Sequence, residues 1–388
     1  MSKAPEQNVL QSENPDFLTS QIITYIGNKR ALIGDIEKEL ISCKKELGKE
    51  RCTCVDLFSG SGIASRMMKK HADVLIANDL EQYSYVLNSC YLTNTCDFDR
   101  KAYDAFKADI DREMSMRFEA GGALKDARPI EGIIAQNYAP KDDEHIQKGE
   151  RAFYTRENAL RIDTYRALIE SVVTDRSMRR FFLAPLITEA SIHTNTSGVF
   201  KGFYKDTKTG LGCFGGSGRN ALSRICGQIT LPEPVLSAFD SDVRLFREDA
   251  VMLSGMLGNI DIAYLDPPYN QHPYGSNYFM LNLILNNRID CPVSRVSGIL
   301  SNWNRSSFNK ERYALASLEQ IIRQLDAKFI IVSYNSEGFI SFDEMQQMLG
   351  RYGTVKTTAL NYNTFRGSRN LKNRPIHVNE YLFTLRKN

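Results

Sequence analysis

Near its start this chain carries an apolar run, a glycine-containing loop, a helix-like segment and a second apolar run that ends in an acid. The first run covers residues 52–57, Gly60 and Gly62 lie in the loop, and Asp79 follows the second run. Strands, helices and glycine turns alternate in this way in doubly wound α/β domains, where an acid after the second strand can bind the hydroxyls of a ribose. The pattern therefore predicts an α/β fold with a site for a ligand that carries adenosine.

The glycine loop narrows the choice of ligand. Because glycine has no Cβ, the backbone at Gly60 and Gly62 can approach a bound molecule closely, although such turns also occur for structural reasons alone. A dinucleotide site has a third glycine for the pyrophosphate, and Ser65 stands at that position here. This argues against a dehydrogenase and leaves other adenosine ligands open.

A second motif, Asp266-Pro267-Pro268-Tyr269, directly follows the apolar residues 260–265. Prolines have no amide donor, so the Asp266 carboxylate and the Pro267 carbonyl form a cluster of acceptors, and Tyr269 offers a ring for stacking. Two acceptors on an aromatic amine favour attack of its nitrogen on an electrophilic methyl group. The motif predicts methyl transfer to N6 of an adenine flipped out of its duplex, with a structural proline turn as the alternative.

Together and in this order, the motifs resemble those of the adenine-N6-specific DNA methyltransferases of the Dam-like class. The resemblance implies S-adenosyl-L-methionine as the cofactor and a Rossmann-like, mostly parallel sheet with an antiparallel last strand at residues 381–385. It implies catalytic roles for the four residues from Asp266 to Tyr269. It also implies that Lys29 approaches the methionine carboxylate and Asp249 the adenine. The full set of implied cofactor-binding residues is Tyr25, Lys29, Asp56, Phe58, Gly60, Gly62, Asp79 and Asp249.

The α/β pattern is interrupted between residues 100 and 240. We predict a catalytic domain made of residues 1–100 and 241–388, with residues 101–240 inserted as a target-recognition domain, because an insertion of this length matches the usual size of a domain. The segment at residues 274–278, just after the catalytic motif, either lines the target pocket or begins a helix.

The net charge of +3 indicates that any DNA-binding charge is local, since 49 Lys and Arg balance 46 Asp and Glu. Two basic runs, one in the insertion and one before the last strand, are the predicted phosphate contacts. Their predicted DNA-binding residues are Lys201, Lys205, Arg219, Arg224, Arg366 and Arg369. Aromatic residues in the first run, among them Phe200 and Phe203, either reach bases or pack inward.

Composition limits the other classes of function. The eight cysteines form no CxxC pair, so we expect no metal site. No apolar run approaches the roughly 18 residues that cross a membrane, and we expect a cytoplasmic protein, associated with the nucleoid through double-stranded DNA. A monomer suffices for this chemistry. The resemblance adds a modification role in restriction-modification, with a cognate restriction endonuclease acting separately.

Several alternatives stay open at this point. Adenine in RNA offers the same amine, so an RNA adenine-N6 methyltransferase is the main alternative. Enzymes that methylate protein glutamine carry Asn where this chain has Asp266. A chain that binds DNA without turning over is a further possibility.

Overall fold

The computed structural model describes residues 12–20, 22–118, 128–216, 218–219, 221–363 and 377–388. Within these residues, seven strands form one sheet. The strands are β1 (Cys52–Asp56), β2 (Ala72–Asn78), β3 (Asp242–Phe246), β4 (Ile260–Leu265), β5 (Ala327–Asn335), β6 (Gly353–Asn363) and β7 (His377–Lys387).

The strand order is β3-β2-β1-β4-β5-β7-β6. The first five strands in this order are parallel to one another, whereas β7 runs antiparallel to both β5 and β6. This confirms the predicted sheet, mostly parallel with an antiparallel last strand. Because β7 is reversed, its first residues lie at the edge where the parallel strands end.

Fourteen α-helices occur among the described residues, and several begin or end at residues that favour helix termini. Gly48 ends α2 in the left-handed conformation, and Ser341 with Glu344 forms a capping box at the start of α14. The helices are α1 (Pro15–Thr19), α2 (Ile33–Leu47), α3 (Ile63–Lys69), α4 (Gln82–Tyr91), α5 (Arg100–Phe118), α6 (Ile133–Asn137), α7 (Arg156–Val172), α8 (Arg180–Ile192), α9 (Leu222–Cys226), α10 (Ala250–Ser254), α11 (Tyr274–Asn277), α12 (Phe279–Asn286), α13 (Glu311–Gln324) and α14 (Phe342–Gly350).

Alternate residues of the central strands face two different hydrophobic cores, as the two-residue period of a strand requires. Cys54 and Ile262 belong to the core that includes α2 and α3. Val55 and Ala263 belong to the core that includes α13 and α14. Helices therefore cover both faces of the sheet, which is the three-layer arrangement of a doubly wound domain.

A third core joins the predicted insertion to the rest of the molecule. Helices α5, α7 and α8 of the insertion share this core with α4 and α12, which lie outside it in sequence. Large aromatic side chains, including Phe153, Phe181 and Phe182, fill it. The division into two domains stays a prediction.

Among the described residues, no helix combines the length and the apolar character needed to cross a membrane.

Candidate active site

The glycine loop lies between β1 and α3 and adopts the conformations that its glycines permit. Gly60 has φ +53° and Gly62 has φ +82°, both in the left-handed region. A side chain at Gly60 would also meet the ring of Tyr25, since an added Cβ would lie 2.9 Å from Tyr25 Cε1. The backbone conformation therefore requires glycine at both positions, and the close approach of Tyr25 is a second reason for glycine at position 60.

A pocket of about 700 Å³ opens at the edge where the parallel strands end. Its wall combines residues that follow β1, β2, β3 and β4 with the segment before α13. The lining residues are Tyr25, Leu57, Phe58, Asn78, Asp79, Leu80, Glu81, Glu248, Asp249, Ala250, Asp266, Pro268, Tyr274, Gly275, Asn304, Ser306, Phe308 and Asn309. The predicted residues Tyr25, Phe58, Asp79, Asp249, Asp266 and Pro268 thus meet around one cavity.

The pocket has a strongly acidic wall. Among the described residues that line the pocket, five are Asp or Glu and none is Lys or Arg. Burial, reinforced by repulsion from Asp79, raises the pKa of Glu81 to about 7. Burial likewise raises the pKa of Asp79, although backbone amides oppose the shift. Such a wall favours a ligand that brings positive charge and disfavours a phosphate group.

Asp79 is held by the backbone at the mouth of the glycine loop. The amide of Gly60 donates to Asp79 Oδ2 at 2.8 Å, and the amide of Glu81 donates to Asp79 Oδ1 at 2.8 Å. The carboxylate is thereby fixed beside the loop that was predicted to approach the same ligand. Glu81 itself, which the sequence analysis did not select, accepts from Asn282 Nδ2 at 2.8 Å.

The other predicted cofactor residues support the pocket from behind or at its rim. Asp56 is fully buried and accepts from Ser65 Oγ at 2.6 Å, and burial raises its pKa to about 7. Phe58 packs edge-on against Phe308, with ring centroids 5.2 Å apart. Asp249 caps α10 by accepting from the amide of Val251 at 2.9 Å.

Asp266 follows β4 directly and lines the pocket, with 20% of its side chain exposed. Its Oδ1 lies 3.0 Å from Lys29 Nζ. Burial raises the pKa of Asp266 to about 7, although Lys29 opposes the shift. The carboxylate thus faces the cavity and is not turned into the core.

Lys29 also binds a second carboxylate, which sequence reasoning missed. Its Nζ lies 2.6 Å from Oε1 of Glu380, which is fully buried on β7. The available signal was a single acid in front of the otherwise apolar residues 381–383, and such an acid does not reveal its partner. The role of Lys29 toward a methionine carboxylate stays a prediction.

Two tyrosines, Tyr25 and Tyr274, line the pocket on the side of the catalytic motif. The Tyr25 ring stacks on Tyr274 and on Tyr278, with 4.9 Å between centroids in each pair. Tyr269 approaches Tyr334 edge-on, with centroids 6.4 Å apart. Residues 274–277 form α11, so this segment begins a helix, and Tyr274 also lines the cavity. That the segment lines a pocket for the target base stays a prediction.

The predicted DNA-binding cations have different surroundings. Lys201 is exposed, and its Nζ lies 3.4 Å from Nδ1 of His272, three residues beyond the catalytic motif. Lys205 is half-buried, with Nζ 5.1 Å from the ring centroid of Phe203. Arg219 is exposed and has φ +49°.

Arg224 is engaged within the protein. Its guanidinium donates to the carbonyls of Ile192, Thr194 at 2.9 Å and Thr196 at 3.3 Å. These bonds hold the chain after α8. Arg366 and Arg369, which form the second predicted contact with DNA, lie outside the described residues.

Two aromatic residues of the first basic run pack inward. Phe200 is 1% exposed and Phe203 is 6% exposed, and both rings contact Phe153. Because they are part of the insertion core, they are not placed to stack on bases. Among the described residues, no group of His, Cys, Asp and Glu could hold a metal ion.

Comparison with known proteins agrees with this geometry. Residues 25–348 match the family described as D12 class N6 adenine-specific DNA methyltransferase. The chain is 30% identical to the type II methyltransferase M.NlaIII of Neisseria lactamica, over 94% of this chain and 99% of that protein. It is also 30% identical to the type II methyltransferase M.CviAII of Paramecium bursaria Chlorella virus 1, over 93% of this chain and 97% of that protein.

A third relative is longer. The chain is 25% identical to the modification methylase LlaI of Lactococcus lactis subsp. lactis, over 88% of this chain and 51% of that protein. The family match extends from Tyr25, on the pocket wall, to a point near the end of α14, and it includes the catalytic motif. The chain therefore belongs to the D12 class of N6 adenine-specific DNA methyltransferases, enzymes whose substrate is DNA.

Proposed function

We propose that this enzyme transfers the methyl group of S-adenosyl-L-methionine to N6 of an adenine that is flipped out of duplex DNA. The observation that carries the proposal is the acidic pocket with Asp266 at its wall. A sulfonium ligand brings a permanent positive charge, which the five lining acids would stabilise. When bound, S-adenosyl-L-methionine supplies an electrophilic methyl carbon with a neutral thioether as its leaving group.

We assign the binding of this ligand to residues around the pocket. Asp79 would bind the ribose hydroxyls, because its carboxylate is fixed at the end of β2. Phe58 and Asp249 line the cavity beyond it and would contact the adenine. Tyr25 and the loop from Gly60 to Gly62 would enclose the methionine part, with Asp56 supporting the loop from the core.

The catalytic roles follow from the acceptors at the end of β4. The Asp266 carboxylate and the Pro267 carbonyl would accept hydrogen bonds from the target amine, which draws the nitrogen lone pair out of the ring and stabilises the developing charge. Pro268 would fix the backbone of this turn. Tyr269 would stack on the flipped base, and this contact is worth about 1–3 kcal/mol, which offsets part of the cost of unstacking.

We further propose that residues 101–240 read the target sequence and that Lys201, Lys205 and Arg219 bind phosphates. Lys201 supports this assignment most directly, because it lies beside the loop that carries the catalytic motif. We assign Arg224 to holding the segment after α8, since its guanidinium bonds are internal. Arg366 and Arg369 remain proposed contacts with the DNA backbone near the flipped nucleotide.

The names of the relatives support a role in restriction-modification. Two are called type II methyltransferases and one a modification methylase. We propose that this chain protects DNA from a separate restriction endonuclease with the same target sequence, and that it acts as a monomer.

The experiment is transfer of a labelled methyl group from S-adenosyl-L-methionine to duplex DNA, with transcript RNA in parallel. We expect Asp266→Ala to lower the rate by a factor of about 100 or more, because an acceptor for the developing charge is lost. Cofactor binding should change little. Asp343→Ala, at an exposed position on α14, is the matched control and should keep full activity. An Asp266→Ala protein with normal turnover would remove Asp266 from catalysis and overturn the proposal.

A further inference from the structure

We propose that Glu380 is a positioning residue for methyl transfer, which acts through Lys29 to hold the Asp266 carboxylate in its reactive orientation. The inference rests on the proposed catalytic role of Asp266. It assigns a part in the active site to the C-terminal strand, which lies beyond the matched family region of residues 25–348.

The contacts form a continuous buried chain behind Asp266. Lys29 Nζ bridges the two acids, at 3.0 Å from Asp266 Oδ1 and 2.6 Å from Glu380 Oε1. Ser333 Oγ donates to Glu380 Oε1 at 2.7 Å, and Asn335 Nδ2 donates to Oε2 at 3.3 Å. Four of these residues are nearly inaccessible, and Asp266, which reaches the pocket, is the exception.

The fold explains why a residue of the last strand is available at this place. Glu380 pairs with Asn335 in the β5–β7 register, at the carboxyl end of β5. A parallel strand would bring its final residues to this edge, whereas the antiparallel β7 brings its first residues. The reversal of β7 therefore places Glu380 beside the residues that follow β4.

Because they are buried, the charges of Lys29 and Glu380 depend on their partners within the protein. Lys29 is 4% exposed and Glu380 is not exposed, so neither charge is stabilised by water. Burial disfavours the charged form of Lys29, but Asp266 and Glu380 outweigh this effect and hold its pKa well above the ordinary value. With Glu380 removed, Lys29 would keep one carboxylate partner and lose the contact that fixes its position.

Lys29 and Glu380 shift the pKa of Asp266 in opposite directions. Lys29 lowers the pKa of Asp266, whereas Glu380 adds to the increase that burial causes. Among the described residues, titratable groups that also interact with Asp266 include Asp56 on β1, Tyr264 on β4 and Tyr274 on α11. Since Asp266 accepts hydrogen bonds as a carboxylate, the rate should fall as the pH drops through its pKa.

The test compares single-turnover methyl transfer across pH for wild type, Glu380→Gln and Lys29→Gln. Glu380→Gln should lower the plateau rate about 10- to 100-fold, because a displaced reactive group loses that much. The substitution should also move the acidic limb of the pH–rate profile, which is the range where the rate falls as the pH drops, to lower pH. Lys29→Gln should move the limb to higher pH. The dissociation constants of the Glu380→Gln protein for the cofactor and for DNA should stay within about twofold of the wild-type values.

Three further variants separate positioning from general damage. Glu380→Asp keeps the charge, so its acidic limb should stay at the wild-type pH. Ser333→Ala removes one bond to Glu380 and no charge, so it should lower the plateau without moving the limb. Glu39→Gln is the matched control, because Glu39 is also buried and binds Lys356 Nζ at 3.0 Å, and it should lower stability with an unchanged pH profile.

If Glu380→Gln keeps the wild-type plateau and limb while Asp266→Ala is inactive, the positioning role is wrong and the proposed function stands. If Asp266→Ala is active, the proposed function fails first. A folded Glu380→Gln protein whose limb moves to higher pH would also overturn the inference, because the charge of Glu380 would then act against the expected direction.

Discussion

The ring of Tyr25 covers Gly60, so closely that a Cβ added to this glycine would lie 2.9 Å from Tyr25 Cε1. The same ring stacks on Tyr274, at 4.9 Å between centroids. One tyrosine therefore joins the glycine loop after β1 to α11 after the catalytic motif. The proposed cofactor site and the proposed catalytic site share this wall.

We expect Gly60→Ala to weaken cofactor binding at least tenfold. An alanine at φ +53° costs about 1–2 kcal/mol, and its methyl group would displace Tyr25 from the pocket wall. Calorimetric titration with S-adenosyl-L-methionine measures the affinity. Gly34→Ala is the control, since nothing lies within 4 Å of its added Cβ and its φ is not positive. Equal affinities in the two variants would contradict the proposed contact.

The acids of the proposed active site should make stabilisation by the cofactor depend on pH. Asp56, Glu81 and Asp266 have folded-state pKa values raised to about 7, above their ordinary values. At pH values between the ordinary pKa of these acids and about 7, the folded state binds more protons than the unfolded state. The free energy of unfolding of the ligand-free protein therefore falls as the pH rises toward 7. A cationic ligand should oppose this loss.

We therefore expect S-adenosyl-L-methionine to raise the melting temperature more at pH 7.5 than at pH 6, as measured by scanning calorimetry at fixed ligand concentration. S-adenosylhomocysteine is the matched control, because it lacks the sulfonium charge. Its effect should change less between the two pH values. The same pH dependence for both ligands would refute the electrostatic explanation.

Replacing a proposed phosphate-binding cation of the insertion should reduce the salt dependence of DNA binding. Each lost phosphate contact lowers the slope of log K against log salt by about 0.9. We expect this change for Lys205→Gln and for Arg219→Gln in titrations at several salt concentrations. Lys45→Gln, at an exposed position on α2, should leave the slope unchanged. An unchanged slope in both insertion variants would place the DNA-binding surface elsewhere.

Arg224→Gln should behave differently from these two variants. Its guanidinium bonds to carbonyls are internal, so the free energy of unfolding should fall by about 2 kcal/mol while the salt slope stays the same. Chemical denaturation measures the first quantity. A reduced salt slope without loss of stability would show that Arg224 contacts phosphate after all.

Phe200→Ala should lower the free energy of unfolding by about 3–5 kcal/mol, the usual cost of truncating a buried phenylalanine. The ring lies in the insertion core, 6.3 Å from Phe153 and 6.5 Å from Phe279 between centroids. Denaturation in urea measures the loss. Tyr85→Ala, which truncates a ring that is 39% exposed, should cost far less. A stable Phe200→Ala protein with weakened DNA binding would instead favour stacking on bases.

The sheet was predictable because its signals are local. The apolar run, the glycine turn and the acid at Asp79 lie close together in sequence, and parallel strands joined by helices bring such turns to one edge. The turn at Asp266 is equally local, since two prolines fix the backbone of their own segment. The structure confirms the fold, and the family match confirms the class of enzyme.

The surroundings of individual side chains were less predictable. Arg219 and Arg224 belong to the same basic run, yet one is exposed and the other binds three carbonyls of a distant segment. The sequence left open whether Phe200 contacts a base or packs in a core. Spacing along the chain does not reveal which surface covers a residue, because that depends on segments far away in sequence.

By itself the sequence determined the α/β sheet, the glycine loop and the acceptor turn, because each is encoded by neighbouring residues. Only the tertiary structure decided which charges meet. Lys29 and Glu380 are separated by 351 positions, and they are joined because the reversed last strand begins at the edge where β4 delivers Asp266. A buried ion pair of this kind has no local pattern, since its two halves are brought together only when the sheet has formed.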